Sequence, residues 1–446
     1  MQRMLGVTQA FLHDVRHSLA APSRGPRTAV VVGRLLAIAF LLCFGTGIYS
    51  HFIQDPLPWM VFPTRPIWLY QVTQGIHITA GILCFPLILA KLYSVYPQLF
   101  TFPPVKSFAG FLERASIAIF VAASLVQITI GLINTYQWYQ LFPFPFRQTH
   151  YALSFVVIGS LAIHIAVKLP IISRHWTTKR HAEALAAEAT PAEGEAETLE
   201  IPAGSFESPE NAYAGVGHGM AARPAEEPQT GGITGKLFAW IDATPQPQPK
   251  VSRRGFLVAL TAASAAVVAF TAGQSFRVLD GINLFAPRKA GVGPQALPVN
   301  RTAEAAKVVS SASSPGWRLT VVGPAGSRVL DYADLRALPQ HDVDLPIACV
   351  EGWSQMASWR GPRLRDVVDL AGIPSDATIR VTSLEDGPYG LSEVTPEFAR
   401  DELTLVALEV NGEVLDLDHG YPARLIAPAR PGVRQTKWLS RLEVQS

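Results

Sequence analysis

Cys349 stands in the stretch IACVEGWSQM and is the one cysteine of three that lies outside an apolar run. A thiolate is a nucleophile and a ligand for soft metals, and a polar, turn-rich setting is where one is used. A lone cysteine is otherwise small core filler, which is how Cys43 and Cys84 read inside their apolar runs. Four histidines form a second set. His77 lies within QGIHITAGIL, His150 and His164 bracket THYALSFVVIGSLAIHIAVKL, and His51 ends GIYSHF. An ionisable side chain inside a long apolar segment is costly and is by default functional. Neutral imidazole is an axial ligand for haem iron. His150 and His164 are fourteen residues apart. That is almost four helical turns, so the two share a face about 21 Å apart. Each haem then needs a partner from another segment. His77 and His164, at comparable depth, are expected to face one another, and His150 to pair with His51 near the outer surface. The alternative for each is a polar packing histidine, and the pattern leaves one haem or two open.

The elements that must carry these residues follow from hydropathy. Four apolar runs, 35–52, 67–93, 112–136 and 149–172, are each near the ~20 residues needed to cross a bilayer. The connectors 53–66 and 137–148 are rich in Trp and Pro, with few cations. The connectors 94–111 and 173–180 carry Lys106, Arg174, Lys179 and Arg180, and residues 1–34 carry five arginines against Asp14. Positive-inside bias puts the N-terminus and residue 173 onwards in the cytoplasm. No cleavage site follows the basic start, so the first run is expected to be retained. Residues 173–250 read as a disordered linker rich in Ala, Glu, Pro and Gly, with a short helix possible at 231–241. Arg253 and Arg254 open VSRRGFLVALTAASAAVVAFTAG, residues 251–273, which reads either as a twin-arginine export signal placed inside the chain or as a plain fifth spanning helix. Residues 274–295 are a tether. From 296 to 446, short strand-like runs alternate with turn signals (VVG-PAG, N-G at Asn411–Gly412) and two helical patches, YADLRALP and RLRDVVDLAG. The expectation is a multi-domain chain: a transmembrane helix bundle with a fifth tethering helix, then an α+β domain.

A formal net charge of +2 over 446 residues gives no case for a nucleic-acid partner, and three cysteines give no disulfide framework.

The pattern C-V-E-G-W-S followed by W-x-G-x-x-L, with LALEVNGEVL and DHGYPARLIAPARPGVRQTKWL further on, resembles the molybdopterin-binding domain of the sulfite oxidase family. The resemblance covers roughly residues 296–446. It implies that Cys349 ligates molybdenum. It also implies that Asn300, Ser383, His419, Arg424, Gly432, Val433 and Arg434 contact the pterin or its phosphate, with Lys437 beside them. Guanidinium groups suit that phosphate because they bind it bidentately. His419 departs from the asparagine common in the exported bacterial branch, which leaves the substrate open. The helical half, residues 35–172, resembles diheme cytochromes b in its spacing of His150 and His164. Gly75, Gly81 and Gly131 would let helices or a porphyrin approach closely.

Together these imply a bacterial cell-membrane oxidoreductase. Molybdopterin and haem b are its cofactors, a small oxygen-atom donor or acceptor its substrate, and the quinone pool its electron partner. A second reading is a haem electron-transfer protein with a catalytically idle outer domain. A transporter is disfavoured, since the spans lack the Asp and Glu chains of proton relays.

Overall fold

The computed structural model describes residues 21–99, 107–138, 141, 144–189, 251–273, 275–285, 288–387 and 389–445. Residues 177–251 separate as a unit of their own. Its described part is mainly one helix, Thr178–Ala189, with the sequence TKRHAEALAAEA. Alanine and long charged residues are strong helix formers, so the start of the expected linker is helical. The helix expected at 231–241 lies outside the described residues.

The other unit begins with four long helices: α1 (Pro26–Gln54), α2 (Leu69–Val95), α3 (Phe108–Tyr136) and α4 (Phe146–Arg174). Numbering Thr178–Ala189 as α5, the helix Arg253–Thr271 is α6, and it packs on α2, where Phe256 stacks on Tyr93 at 4.9 Å. These four and α6 are long and apolar enough to cross a membrane. Leu35, Ile38, Leu41, Leu42, Ile119 and Ile163 face outward and are exposed, as lipid-facing side chains would be. α1 starts at Pro26 rather than at Leu35, because Gly25 and Pro26 supply a good helix start. Arg34 is accommodated over the Trp176 ring at 4.2 Å. Ser252 caps α6 by accepting from the Gly255 amide at 3.1 Å, worth about 1 kcal/mol. Arg253 and Arg254 are therefore the first two residues of that helix.

The segment after α6 is not a loose tether. Phe276 fills the space left by Gly75 of α2, where a Cβ would sit 2.9 Å from its ring. The Ser275 hydroxyl donates to the Gly352 carbonyl.

The C-terminal domain holds three sheets. The largest has the order β2-β1-β11-β5-β6, with β1 (Leu319–Gly323), β2 (Gly326–Leu330), β5 (Ile379–Ser383), β6 (Leu391–Val394) and β11 (Leu439–Val444). Only the β1–β11 pairing in it is parallel. Pro324 and Ala325 make the tight β1–β2 hairpin read from VVG-PAG. A four-stranded sheet runs β3 (His341–Ala348), β4 (Ser354–Gly361), β8 (Glu409–Val410), β9 (Glu413–Val414). Asn411 and Gly412, both at positive φ, turn β8 into β9. β7 (Leu405–Ala407) and β10 (Arg424–Ile426) form a separate pair. The two helical patches are present as Tyr332–Ala337 and Leu364–Asp369. Trp317, Leu319, Val321, Val367, Val381 and Leu442 are among the side chains of the main core between helices and sheet.

Candidate functional site

The β3–β4 hairpin positions Cys349. Val343, Leu345 and Ile347 alternate into a core shared with Trp359, Leu405 and Val410, which fixes the strand register. At the tip, the Cys349 amide donates to the Trp353 carbonyl at 2.8 Å, and the Gly352 amide donates back to the Cys349 carbonyl at 3.0 Å. Gly352 has φ 99°, so the turn favours glycine there. Cys349 is buried, with the Asn300 side-chain amide 3.7 Å from its sulfur. Burial, then the neighbouring Glu351 carboxylate, pushes its thiol well above the ordinary value. A bound cation is what would hold it as thiolate.

The same domain buries an unusual set of cations, of which Lys437 acts on the Cys349 sulfur. Arg424 is fully buried, donating to the His419 carbonyl at 2.9 Å and the Gln435 carbonyl at 3.2 Å, and its Nε has no hydrogen-bond partner. Desolvation pulls its guanidinium down to about 9. Arg430 is likewise buried and drawn to about 9 by desolvation, with NH1 unpartnered. Lys437 donates to the Arg301 carbonyl at 2.9 Å and the Asp418 carbonyl at 2.6 Å, and burial lowers it to about 7. Buried cations hydrogen-bonded mainly to carbonyls need an anion. Their unpartnered donors fit a phosphate-bearing cofactor.

The other expected contacts differ among themselves. Gly432 lies against the strand end before Cys349, where a Cβ would be 3.3 Å from the Ala348 carbonyl. The Ser383 hydroxyl is held inside the protein, donating to the Lys437 carbonyl at 2.8 Å and accepting from the Glu385 amide at 3.0 Å. His419 donates through Nε2 to the Pro294 carbonyl at 2.7 Å, and burial lowers it to about 4. These bonds fix both side chains in place. Arg430 and Glu351 were not singled out in the sequence. The signal for Glu351 was available: it is an acid two residues from the cysteine. Burial raises its carboxyl, and the Gln137 side-chain amide donates to it and, at 3.1 Å, to the Asn300 carbonyl. Gln137 ends α3 in the left-handed region, with φ 59°.

A cavity of about 700 Å³ runs from here into the helical bundle. Asn300, Val350, Glu351, Tyr389, Val433 and Arg434 line it from the C-terminal domain, and His51, His77 and His150 from the bundle. Gln74, one turn before His77, donates to the Val350 carbonyl at 2.7 Å and so ties α2 to the residue after Cys349.

The histidine pairing differs from expectation. The rings of His77 and His150 have centroids 6.2 Å apart, inclined at 73°. His164 instead stacks on Phe120 at 6.1 Å, and His51 stacks on Tyr151 at 3.7 Å. The expected pairs, His77 with His164 and His51 with His150, are thus not the pairs brought together. α2 begins at Leu69 and α4 at Phe146, so both His77 and His150 fall within the first few turns of their helices. His77 Nδ1 donates to the Cys43 carbonyl at 2.8 Å, which fixes the ring and leaves Nε2 free to ligate. Two features make room for the rings. A Cβ on Gly47 would meet His77 at 2.9 Å, and one on Gly131 would lie 3.6 Å from His150.

Residues 306–446 match the family model described as the oxidoreductase molybdopterin binding domain. Sulfite oxidase from Mus musculus is 32% identical over 159 residues, 29% of this chain and 29% of that one. Sulfite oxidase from Arabidopsis thaliana is 30% identical over 151 residues, 26% of this chain and 38% of that one. An uncharacterized oxidoreductase of Bacillus subtilis, YuiH, is 30% identical over 129 residues, 28% of this chain and 64% of that one. The chain thus spans less than two thirds of the length of each of these relatives. Its C-terminal part is an oxidoreductase molybdopterin-binding domain with sulfite oxidases among its relatives. The helices before it lie outside that match.

Proposed function

We propose that the chain is a membrane-bound molybdenum oxidoreductase. Oxygen-atom transfer, as sulfoxide-type reduction or sulfite-type oxidation, takes place at an extracytoplasmic molybdopterin site. Electrons pass singly through haem b to or from the quinone pool.

Molybdenum, when bound, would supply the two-electron oxygen-atom chemistry, and Cys349 would hold it through its thiolate. Arg424, Arg430 and Lys437 balance the charge of the pterin phosphate. Asn300 and Glu351 flank the sulfur, and Gln137 fixes both of them from the helical bundle. In the bundle, His77 and His150 would hold one b-type haem, their ring centroids lying 6.2 Å apart beside the cavity.

The observation that carries the reading is the single cavity that both His77 with His150 and Glu351 with Asn300 line. It supports direct electron exchange between the two cofactors without a separate carrier. The test is to purify the full chain in detergent, measure molybdenum and haem, and mix reduced protein with sulfoxide or oxidised protein with sulfite. Haem reoxidation or reduction coupled to substrate supports the proposal. Haem without molybdenum, and no response to either substrate, would leave a haem protein with an idle outer domain.

The outer location follows from Arg253 and Arg254 at the start of α6, read as a twin-arginine signal. Replacing both with lysine should strand residues 290–446 in the cytoplasm, shielded from protease added to spheroplasts. Continued exposure to protease would mean ordinary helix insertion.

A further inference from the structure

The sequence resemblance gives Arg434 to the pterin, yet its charged neighbours come partly from the bundle. They are Asp55 and Arg147, both at ends of bundle helices, together with Glu393 and Arg430. Arg147 is three residues before His150 on α4, so the two share a helix face. Arg147 and Arg434 both line the cavity that His77 and His150 line. Arg147 also reaches Asp55 at 3.4 Å, across two largely exposed side chains. Two guanidinium groups from different halves of the chain thus line one cavity, with Asp55 near both and Glu393 near Arg434. With Arg430 beside Arg434, three cations stand against those two carboxylates, which leaves positive charge for an anionic ligand to balance. Burial already disfavours the charged form of Arg434.

We propose that Arg147 and Arg434 form a two-sided clamp for the carboxylate groups at the edge of the tetrapyrrole held by His77 and His150, so that haem binding ties the bundle to the catalytic domain. The proposal rests on the haem reading above and adds a role for Arg434 that the pterin assignment does not contain. Guanidinium groups suit it because they bind carboxylates bidentately. A cation beside the haem also favours the reduced state, which carries one positive charge less.

The test uses the full-length protein in detergent. Arg147→Gln, Arg434→Gln, Arg434→Lys and Asp55→Asn are compared with the parent for haem loss to a scavenger, haem midpoint potential and molybdenum per chain. Each Gln variant should speed haem loss roughly tenfold, as for one charge-assisted hydrogen bond, and lower the potential. Arg434→Lys should restore most of the potential but less of the retention, because an ammonium keeps the charge and loses the fork. Asp55→Asn should move the potential the opposite way, upward. If Arg434→Gln lowers molybdenum per chain while haem loss and potential stay at parent values, Arg434 serves the pterin and the clamp is wrong. A change confined to the KM for an oxyanion substrate would equally overturn it, by making Arg434 a substrate residue. A parent purified without haem would refute the haem reading itself, a separate and recognisable outcome.

Discussion

The two ends of the helical bundle repeat one spacing and differ in chemistry. Gly33 and Gly47 on α1, His77 and Lys91 on α2, and His150 and His164 on α4 are each separated by fourteen residues. At the end nearer the catalytic domain, Gly47 makes room for His77, which meets His150 beside the cavity. At the far end Gly33 makes room for Lys91 instead, whose ammonium lies 3.2 Å from where a Cβ would be and donates to the Ala29 carbonyl at 2.8 Å. His164 there stacks on Phe120, and Phe120 packs on Phe40 at 5.6 Å. Phe40, Cys84 and Val157 are among the described residues that line the cavity, whereas Phe120 and His164 are not. A repeated spacing therefore does not make two equal sites. A ligand site also needs a facing imidazole and space, and only the nearer end has both. The haem reading accordingly allots one haem, where the sequence left one or two.

The sharpest break of this comparison comes from the histidines themselves. His77→Leu and His150→Leu should each abolish the haem spectrum, whereas His164→Leu should leave haem per chain at the parent value. Haem extraction from the three purified variants decides it. A loss in His164→Leu equal to that in His77→Leu would restore two equal ends.

Cys349→Ser tests whether the catalytic half is independent of the bundle. Turnover should vanish, because a hydroxyl is a poor substitute for a thiolate ligand, while the haem spectrum stays unchanged. Near-parent activity would remove Cys349 from the metal.

The glycines give a graded effect. Gly47→Val must displace His77 and should weaken haem binding tenfold or more by titration, roughly the 1–3 kcal/mol of an overpacked core site. Gly33→Val crowds only the flexible end of Lys91, so its haem affinity should stay within about twofold of the parent. Equal losses in the two would mean general helix distortion.

The smallest effect concerns the bracing of the catalytic site. Burial holds His419 at about 4 in the folded domain against an ordinary 6.5. Between those values the unfolded chain binds more protons, so stability rises with pH there and falls as pH drops from 6.5 to about 4. His419→Asn should flatten that slope in denaturant titrations of cofactor-free protein. An unchanged slope would assign the acid sensitivity to another group.

Much of this was legible in the sequence because it depends on local pattern. The IACVEGWS motif marked Cys349, hydropathy marked the long apolar helices, and Pro-Ala and Asn-Gly marked two hairpins. Asn300 was marked too, and it does lie beside the Cys349 sulfur. What the sequence could not supply was pairing between segments. Helix rise gives depth along one helix, but it does not say which helices are neighbours or which faces they turn to each other. So His77 was matched to His164 by depth, while α2 and α4 bring it to His150. The same limit hid Gln137 and Gln74, polar residues without a motif. The 3.1 Å and 2.7 Å bonds of Gln137 and Gln74 exist because distant chain segments pack together. Residue types and spacing determined which chemistries the chain carries, since those are properties of side chains and of a single helix or turn. Tertiary structure decided which imidazoles meet, which cations lose their solvent, and that one cavity is lined from both halves of the chain. Those depend on burial and on contacts between residues far apart in sequence.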